Sequence, residues 1–141
     1  MQQPFIHLHL HSEYSLVDSV LRINDVVSAA VEQDMPAVAV TDLSNVFAVV
    51  KFYKAATAAG IKPVLGSDIW LERPEQPCKP FRLVLLCLND DGYRNLTYLL
   101  SDAYRNGQHL GGHACVSRKL LASNNAGLIA LSDDSQGELC Y

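Results

Sequence analysis

Phe5-Ile6-His7-Leu8-His9-Leu10-His11-Ser12 places three histidines on alternate positions of one apolar run. Side chains of a strand repeat every two residues. The run therefore predicts a strand over residues 5–10, with His7, His9 and His11 on one face and Ile6, Leu8 and Leu10 turned to a core. Imidazole is the commonest metal-binding side chain, and two of them two positions apart on a strand can grip one ion. The same pattern also describes a half-buried edge strand with solvated histidines, so the rest of the chain has to decide.

Working outward from that run, helices and strands alternate. Asn24 is placed to cap a helix over residues 25–34, with Val26, Val27, Ala30 and Val31 as its apolar stripe. Met35-Pro36 closes it, because the residue before proline is pushed out of the α region. Ala37-Val38-Ala39-Val40 reads as a short buried strand closing at Thr41-Asp42, and Ser44 or Asn45 caps a helix to about Ala59, where Gly60 supplies a left-handed stop. Residues 62–71 are strand-like, with Gly66 marking a bulge or a close backbone approach. A loop with three prolines fills residues 72–80. A strand over residues 82–88 then leads to a helix from Asp90 to about Arg105 through Leu96, Leu99 and Leu100. Ser117 caps a short helix to Ala122, and residues 128–131 form a last strand. No internal repeat or low-complexity segment interrupts the series.

This βαβα order implies an α/β fold on a parallel sheet, doubly wound or curled toward a barrel. Both arrangements put chemistry at the carboxyl ends of the strands. His9 and His11 end the first strand, Asp42 the second, Asp68 lies late on the third, and Asp133 and Asp134 follow the last. All are groups that can bind a metal.

Composition limits the alternatives. With 141 residues, 49% hydrophobic and 18% charged, the chain is one globular domain or part of one. Its net charge of -4 and singly scattered Lys and Arg exclude autonomous nucleic-acid binding. Cys78, Cys87, Cys115 and Cys140 form no C-x-x-C pair and read as small core residues of a protein in a reducing cytoplasm. No apolar run is long enough to span a bilayer, and none reads as a secretion signal.

Four stretches, taken together, carry a family resemblance: FIHLHLHSEYSLVDSV (residues 5–20), PAVAVTDLSNVFAVVKFYKAATAAGIKPVLGSDIWL (36–71), RLVLLCLNDDGYRNLTYLLSDAY (82–104) and GLIALSDDSQGE (127–138). In this order, over essentially the whole chain, they resemble the amino-terminal PHP (polymerase and histidinol phosphatase) domain of the bacterial DNA polymerase III alpha subunits. Lys51-Phe52-Tyr53-Lys54 and the run from Asn89 to Leu96 resemble the polymerase branch more than the free-standing phosphoesterases.

The resemblance implies a distorted (β/α)7 barrel, of which residues 1–141 would be the N-terminal portion, with up to three metal ions at the carboxyl rim. By match to the family motifs it implies His9, His11, Asp18, Asp42 and Asp68 as metal ligands, with His7 outside the set. It also exposes departures. Leu43 stands where the motif has histidine, and Asp68 stands for a glutamate, one methylene shorter and expected to fall short of a shared ion. Asp133-Asp134 replaces a segment with cysteine, leaving Asp134 as an oxygen donor in place of a thiolate. The later family motifs fall beyond residue 141, which leads to the expectation of an incomplete barrel that either self-associates through its open edge or is marginally soluble.

The implied function is a structural and subunit-docking module with a degenerate metal site. It would hold zinc, manganese or magnesium at low occupancy and belong to a magnesium-dependent, DNA-templated DNA polymerase, a nucleotidyltransferase. Implied partners are the proofreading exonuclease subunit and other replicase subunits, with DNA reached only through the parent polymerase and no membrane contact. The alternative is a metal-dependent phosphoesterase: a 3′-exonuclease, a pyrophosphatase or an enzyme of the histidinol-phosphate type. No catalytic or substrate-binding residue is assigned.

Overall fold

β2 (Lys62–Leu71) organises the sheet, because it changes partners halfway along its length. Its residues Lys62 to Leu65 pair in parallel with β1 (Ala37–Val40), whose four residues are all buried. From Gly66 to Leu71 it pairs antiparallel with β3 (Phe81–Cys87), and at Trp70 and Leu71 it also pairs in parallel with β4 (Cys115–Val116). β3 pairs antiparallel with β5 (Leu128–Ser132), giving the order β1-β2-β3-β5 with β4 beside β2. The structure is a computed structural model that describes residues 4–108, 112–132 and 137.

The expected all-parallel sheet is corrected by β3, which runs against the other four strands. The connection explains this. Parallel neighbours need a crossover of a dozen or more residues, usually a helix. Residues 72–80 are too short and too rich in proline for one, so β3 returns antiparallel. The described strands form a mixed five-stranded α/β sheet and do not establish a seven-unit barrel, whole or partial.

Gly66 sits where β2 exchanges β1 for β3. A Cβ there would lie 2.4 Å from the Leu85 carbonyl oxygen, so this is the close backbone approach that its place in a strand predicted.

Among the described residues four α-helices accompany the strands: α1 (Ile23–Glu32), α2 (Val49–Ala58), α3 (Asp90–Asn106) and α4 (Arg118–Ser123). α1 buries Ile23, Val26, Val27 and Ala30, an i, i+3, i+4, i+7 stripe. Val31 falls off that stripe and is exposed, and Asn24 lies inside the helix, with Arg22 at the N-cap. α2 starts later than Ser44 or Asn45 because Asn45 has other partners. Its amide donates to the carbonyls of Tyr14 and Leu43, and its Oδ1 accepts from Phe47 N in a local turn. α4 carries the expected side-chain cap, Ser117, and α3, which starts at Asp90 as expected, is capped by the preceding Asn89.

One core joins α1, α2 and β1 around Ile23, Val38 and Phe52; a second joins α3 to the β2–β3 pair around Ile69, Leu85, Leu96 and Leu99. Each fully buried side chain of this size contributes about 1.5–3 kcal/mol.

The strand expected over residues 5–10 is also corrected. This segment runs beside β1, with His7 O accepting from Ala39 N and Leu10 O from Thr41 N, both at 2.8 Å. Three steps on one chain thus face two on the other, which breaks the ladder as a bulge does. Leu10 packs on the first core, but Leu8 is exposed rather than turned inward.

Of the cysteines, Cys115 is buried and Cys87 half-buried, its thiol pushed up to about 11 by burial. Cys78, expected in the core, is exposed because the proline loop carries it, and Cys140 lies outside the described residues. Among the described residues, no helix is long and apolar enough to cross a membrane.

Candidate metal centre

The β1–β2 register continues past the end of β1 to a bridge between Leu43 and Asp68. Ser44 N donates to the Asp68 carbonyl at 2.7 Å, while Asp68 N faces the Thr41 and Asp42 carbonyls at 3.3 and 3.2 Å. On the opposite edge Asp68 pairs with Val84 of β3. This backbone clamp holds a fully buried carboxylate beneath the histidine segment.

Asp68 Oδ2 lies 3.2 Å from His9 Nε2 and 3.1 Å from His11 Nε2, so the shorter side chain still reaches both imidazoles. The two rings meet edge-on, with centroids 5.1 Å apart. Donor atoms of His9, His11 and Asp68 all fall within 4.8 Å of one another, the group of potential metal ligands among the described residues. Behind it, His11 Nδ1 lies 3.4 Å from Asp18 Oδ2, so Asp18 orients a ring whose other nitrogen faces Asp68. His7 stands apart, edge-on to Phe5.

Asp42 is brought to a different task. Its Oδ1 accepts from Ser12 N at 2.6 Å and Ser15 Oγ at 2.8 Å, and its Oδ2 accepts from Ser12 Oγ at 2.8 Å. Buried and so satisfied, it ties the turn after the histidines to the end of β1 and does not join the His9, His11 and Asp68 group. Leu43 lines a neighbouring cavity with Leu16, Val17 and Phe47. Asp133 and Asp134 lie outside the described residues.

The residue missed in the sequence is Arg82. Trp70 pairs with Arg82 and Asp68 with Val84, so Asp68 and Arg82 are diagonal neighbours on one face of the sheet. The Arg82 guanidinium forms an ion pair with Asp68 Oδ2, comes within 3.5 Å of His11 Nε2 and stacks over the Trp70 ring at 5.4 Å. A lone cation in the apolar run Phe81 to Leu86 was the available signal, but alternation alone does not reveal its partner.

These contacts set the charge of Asp68. Burial is the largest single influence and opposes ionisation. Hydrogen bonds with His11, His9 and Arg82, together with the Arg82 charge, outweigh it and hold the carboxyl well below its usual range. Its other oxygen, Oδ1, is buried without a hydrogen-bond partner among the described residues.

Two imidazoles and a carboxylate suit a divalent ion. Donors bonded to one zinc at ~2.0–2.1 Å stand about 3.3 Å apart across a tetrahedral edge, close to the separations found here. The shared oxygen, however, already faces the Arg82 guanidinium, and a second cation at that point would meet the first. As arranged, the corner is closed by an internal cation, and its residues do not fit a metal.

The family model for the PHP domain matches residues 7–141. A DNA polymerase III subunit alpha from Pseudomonas fluorescens is 47% identical over 139 residues, and one from Neisseria meningitidis serogroup A is 41% identical over 141. Each alignment covers 99% of this chain and 12% of the relative, so the chain spans about an eighth of the length of these proteins. Among solved structures, an amidohydrolase from Chromobacterium violaceum, with bound sulfate and no metal, aligns at a TM-score of 0.51. It is 20% identical over 71% of this chain and 36% of the other, a likeness of fold alone. With the histidine pair and the acidic ends of β1 and β2 inside the matched region, the chain belongs to the PHP domain family.

Proposed function

We propose that this chain is the PHP module of a cytoplasmic replicative DNA polymerase of the DNA polymerase III alpha type, and that it acts as a structural and subunit-docking unit rather than a hydrolase. The observation that carries this reading is the Arg82 guanidinium on Asp68, in the corner where a metal would bridge His9, His11 and Asp68. Asp18, Asp42 and Asp134 complete the proposed remnant of the ligand set. The parent protein would perform magnesium-dependent, DNA-templated DNA synthesis and supply the contact with DNA. The proofreading exonuclease subunit and other replicase subunits are the proposed partners.

Metal analysis tests this. After incubation with zinc or manganese and exhaustive dialysis, the full chain should retain well under one equivalent. Retention of a full equivalent, with metal-dependent hydrolysis of an activated phosphodiester, would establish the second reading, a metal-dependent phosphoesterase. That reading is favoured by the convergence of three donors and by the unpartnered Asp68 Oδ1. Bound metal there would serve as Lewis acid and source of hydroxide.

A further inference from the structure

Trp70 also lines a cavity of about 370 Å³, together chiefly with Arg73, Gln76, Lys79, Phe81 and His113. Its volume is in the range of small-molecule sites. No carboxylate is among the described residues that line it, although the chain as a whole carries a net charge of -4. The concentration of positive charge here therefore runs against the overall composition.

Two pieces of chain build the cavity. Pairing of Trp70 with Cys115 brings His113 against the indole, with ring centroids 4.3 Å apart and planes tilted by 43°, so one wall is aromatic. The proline loop forms the other side through two consecutive turns, Gln76 N to Arg73 O at 3.0 Å and Lys79 N to Gln76 O at 2.9 Å. These turns set Arg73, Gln76 and Lys79 around one opening. The Arg73 guanidinium lies 4.7 Å from the centre of the Phe81 ring, a cation–π placement against another residue of the lining.

We propose that this cavity binds a nucleoside phosphate, with its base against the Trp70–His113 wall and its phosphate between Arg73 and Lys79. Each half of the lining selects one half of the ligand. Aromatic side chains stack on a base irrespective of its identity. Guanidinium and ammonium groups together recognise phosphate oxygens. An inorganic anion would leave the aromatic wall uncovered, and an uncharged aromatic would make no use of the guanidinium and ammonium groups. The proposal uses none of His9, His11 or Asp68, so it stands whether or not the neighbouring corner takes up metal.

Trp70 is the single tryptophan of the chain and reports directly on ligands placed against it. The full chain is titrated with dAMP, deoxyadenosine and inorganic phosphate in separate arms, with fluorescence excited at the red edge of the indole band. Saturable quenching by dAMP is expected, with deoxyadenosine and phosphate each weaker by about tenfold or more. The double variant Arg73→Gln, Lys79→Gln should weaken dAMP by about tenfold or more and leave deoxyadenosine unchanged. If circular dichroism shows that the double variant is unfolded, Lys79→Gln alone, at an exposed position, carries the same comparison. Absence of saturable quenching by dAMP, phosphate binding as tightly as dAMP, or a folded variant with unchanged dAMP affinity would each overturn the proposal.

Discussion

Replacing Arg82 by methionine removes the cation from the buried corner while keeping much of the side-chain volume. Asp68 is fully buried, and the Arg82 side chain is 17% exposed. Breaking a buried pair by removing one partner costs about 3–5 kcal/mol, because the other charge is left uncompensated. The residual exposure of Arg82 and the two imidazoles still on Asp68 place the expected cost at the lower end, about 3 kcal/mol. For a domain of this size that corresponds to a fall of about 10 °C in Tm. Denaturant melts of four proteins measure it: the parent, Arg82→Met, Asp68→Asn and the double variant. In the Asp68→Asn background, Arg82→Met should cost no more than about 1 kcal/mol, since no buried anion is stranded. Zinc adds an independent arm. With the guanidinium gone, the His9, His11 and Asp68 donors are open, and zinc at 100-fold its dissociation constant would restore about 2.7 kcal/mol to Arg82→Met and nothing to the parent. Equal costs of Arg82→Met in both backgrounds, or zinc stabilising parent and variant alike, would refute the assignment of Arg82 as the resident cation.

Three further outcomes follow from the same geometry. Gly66→Ala should destabilise by about 2–3 kcal/mol in a denaturant melt, because its Cβ would press on the Leu85 backbone carbonyl and not on a side chain able to yield. Asp42→Ala strands the donors of Ser12 and Ser15; a loss of about 3 kcal/mol and faster amide exchange at Ser12 and Leu43 are expected, and unchanged exchange would show that Asp42 does not tie that turn. Stability should also fall in acid. Asp68 has its pKa depressed on folding, so its contribution is fully present above the ordinary value of 3.8 and is lost as the pH drops below it. Melts of parent and Asp68→Asn from pH 6 to pH 2, about the span of that titration, should converge toward the acid end.

Local signals in the sequence account for the elements read correctly. Ala37-Val38-Ala39-Val40 is a continuous apolar run, and it forms a strand buried at every position. Ser117 caps its helix through a local bond, its hydroxyl accepting from Leu120 N. Asn45 has the same chemistry, yet long-range bonds to Tyr14 and Leu43 take its amide, and α2 begins four residues later. Strand direction is not a local property at all. It is set by what a connection can span, and only the structure shows β3 returning beside β2. The candidate site divides the same way. His9, His11 and Asp68 were legible from spacing and strand ends, whereas Arg82 joins them through a register that no single segment encodes.

That division gives the polar residues of this corner a structural task as well. The segment bearing the histidines lacks a regular ladder and exposes Leu8 and Phe5; apart from its polar side chains, two backbone carbonyls bonded to the β1 stretch and the packing of Leu10 seat it. Two polar clamps add to these: Asp42 grips Ser12 and Ser15, and Asp68 grips His9 and His11 while Arg82 balances its charge. A hydrophobic replacement could equal such a pair in stability, but it would not impose one register on a segment without a ladder. Arg82 therefore does more than neutralise a buried carboxylate. It lets His9, His11 and Asp68 act as a cross-link between the amino-terminal segment, β2 and β3, a role that rests on their geometry.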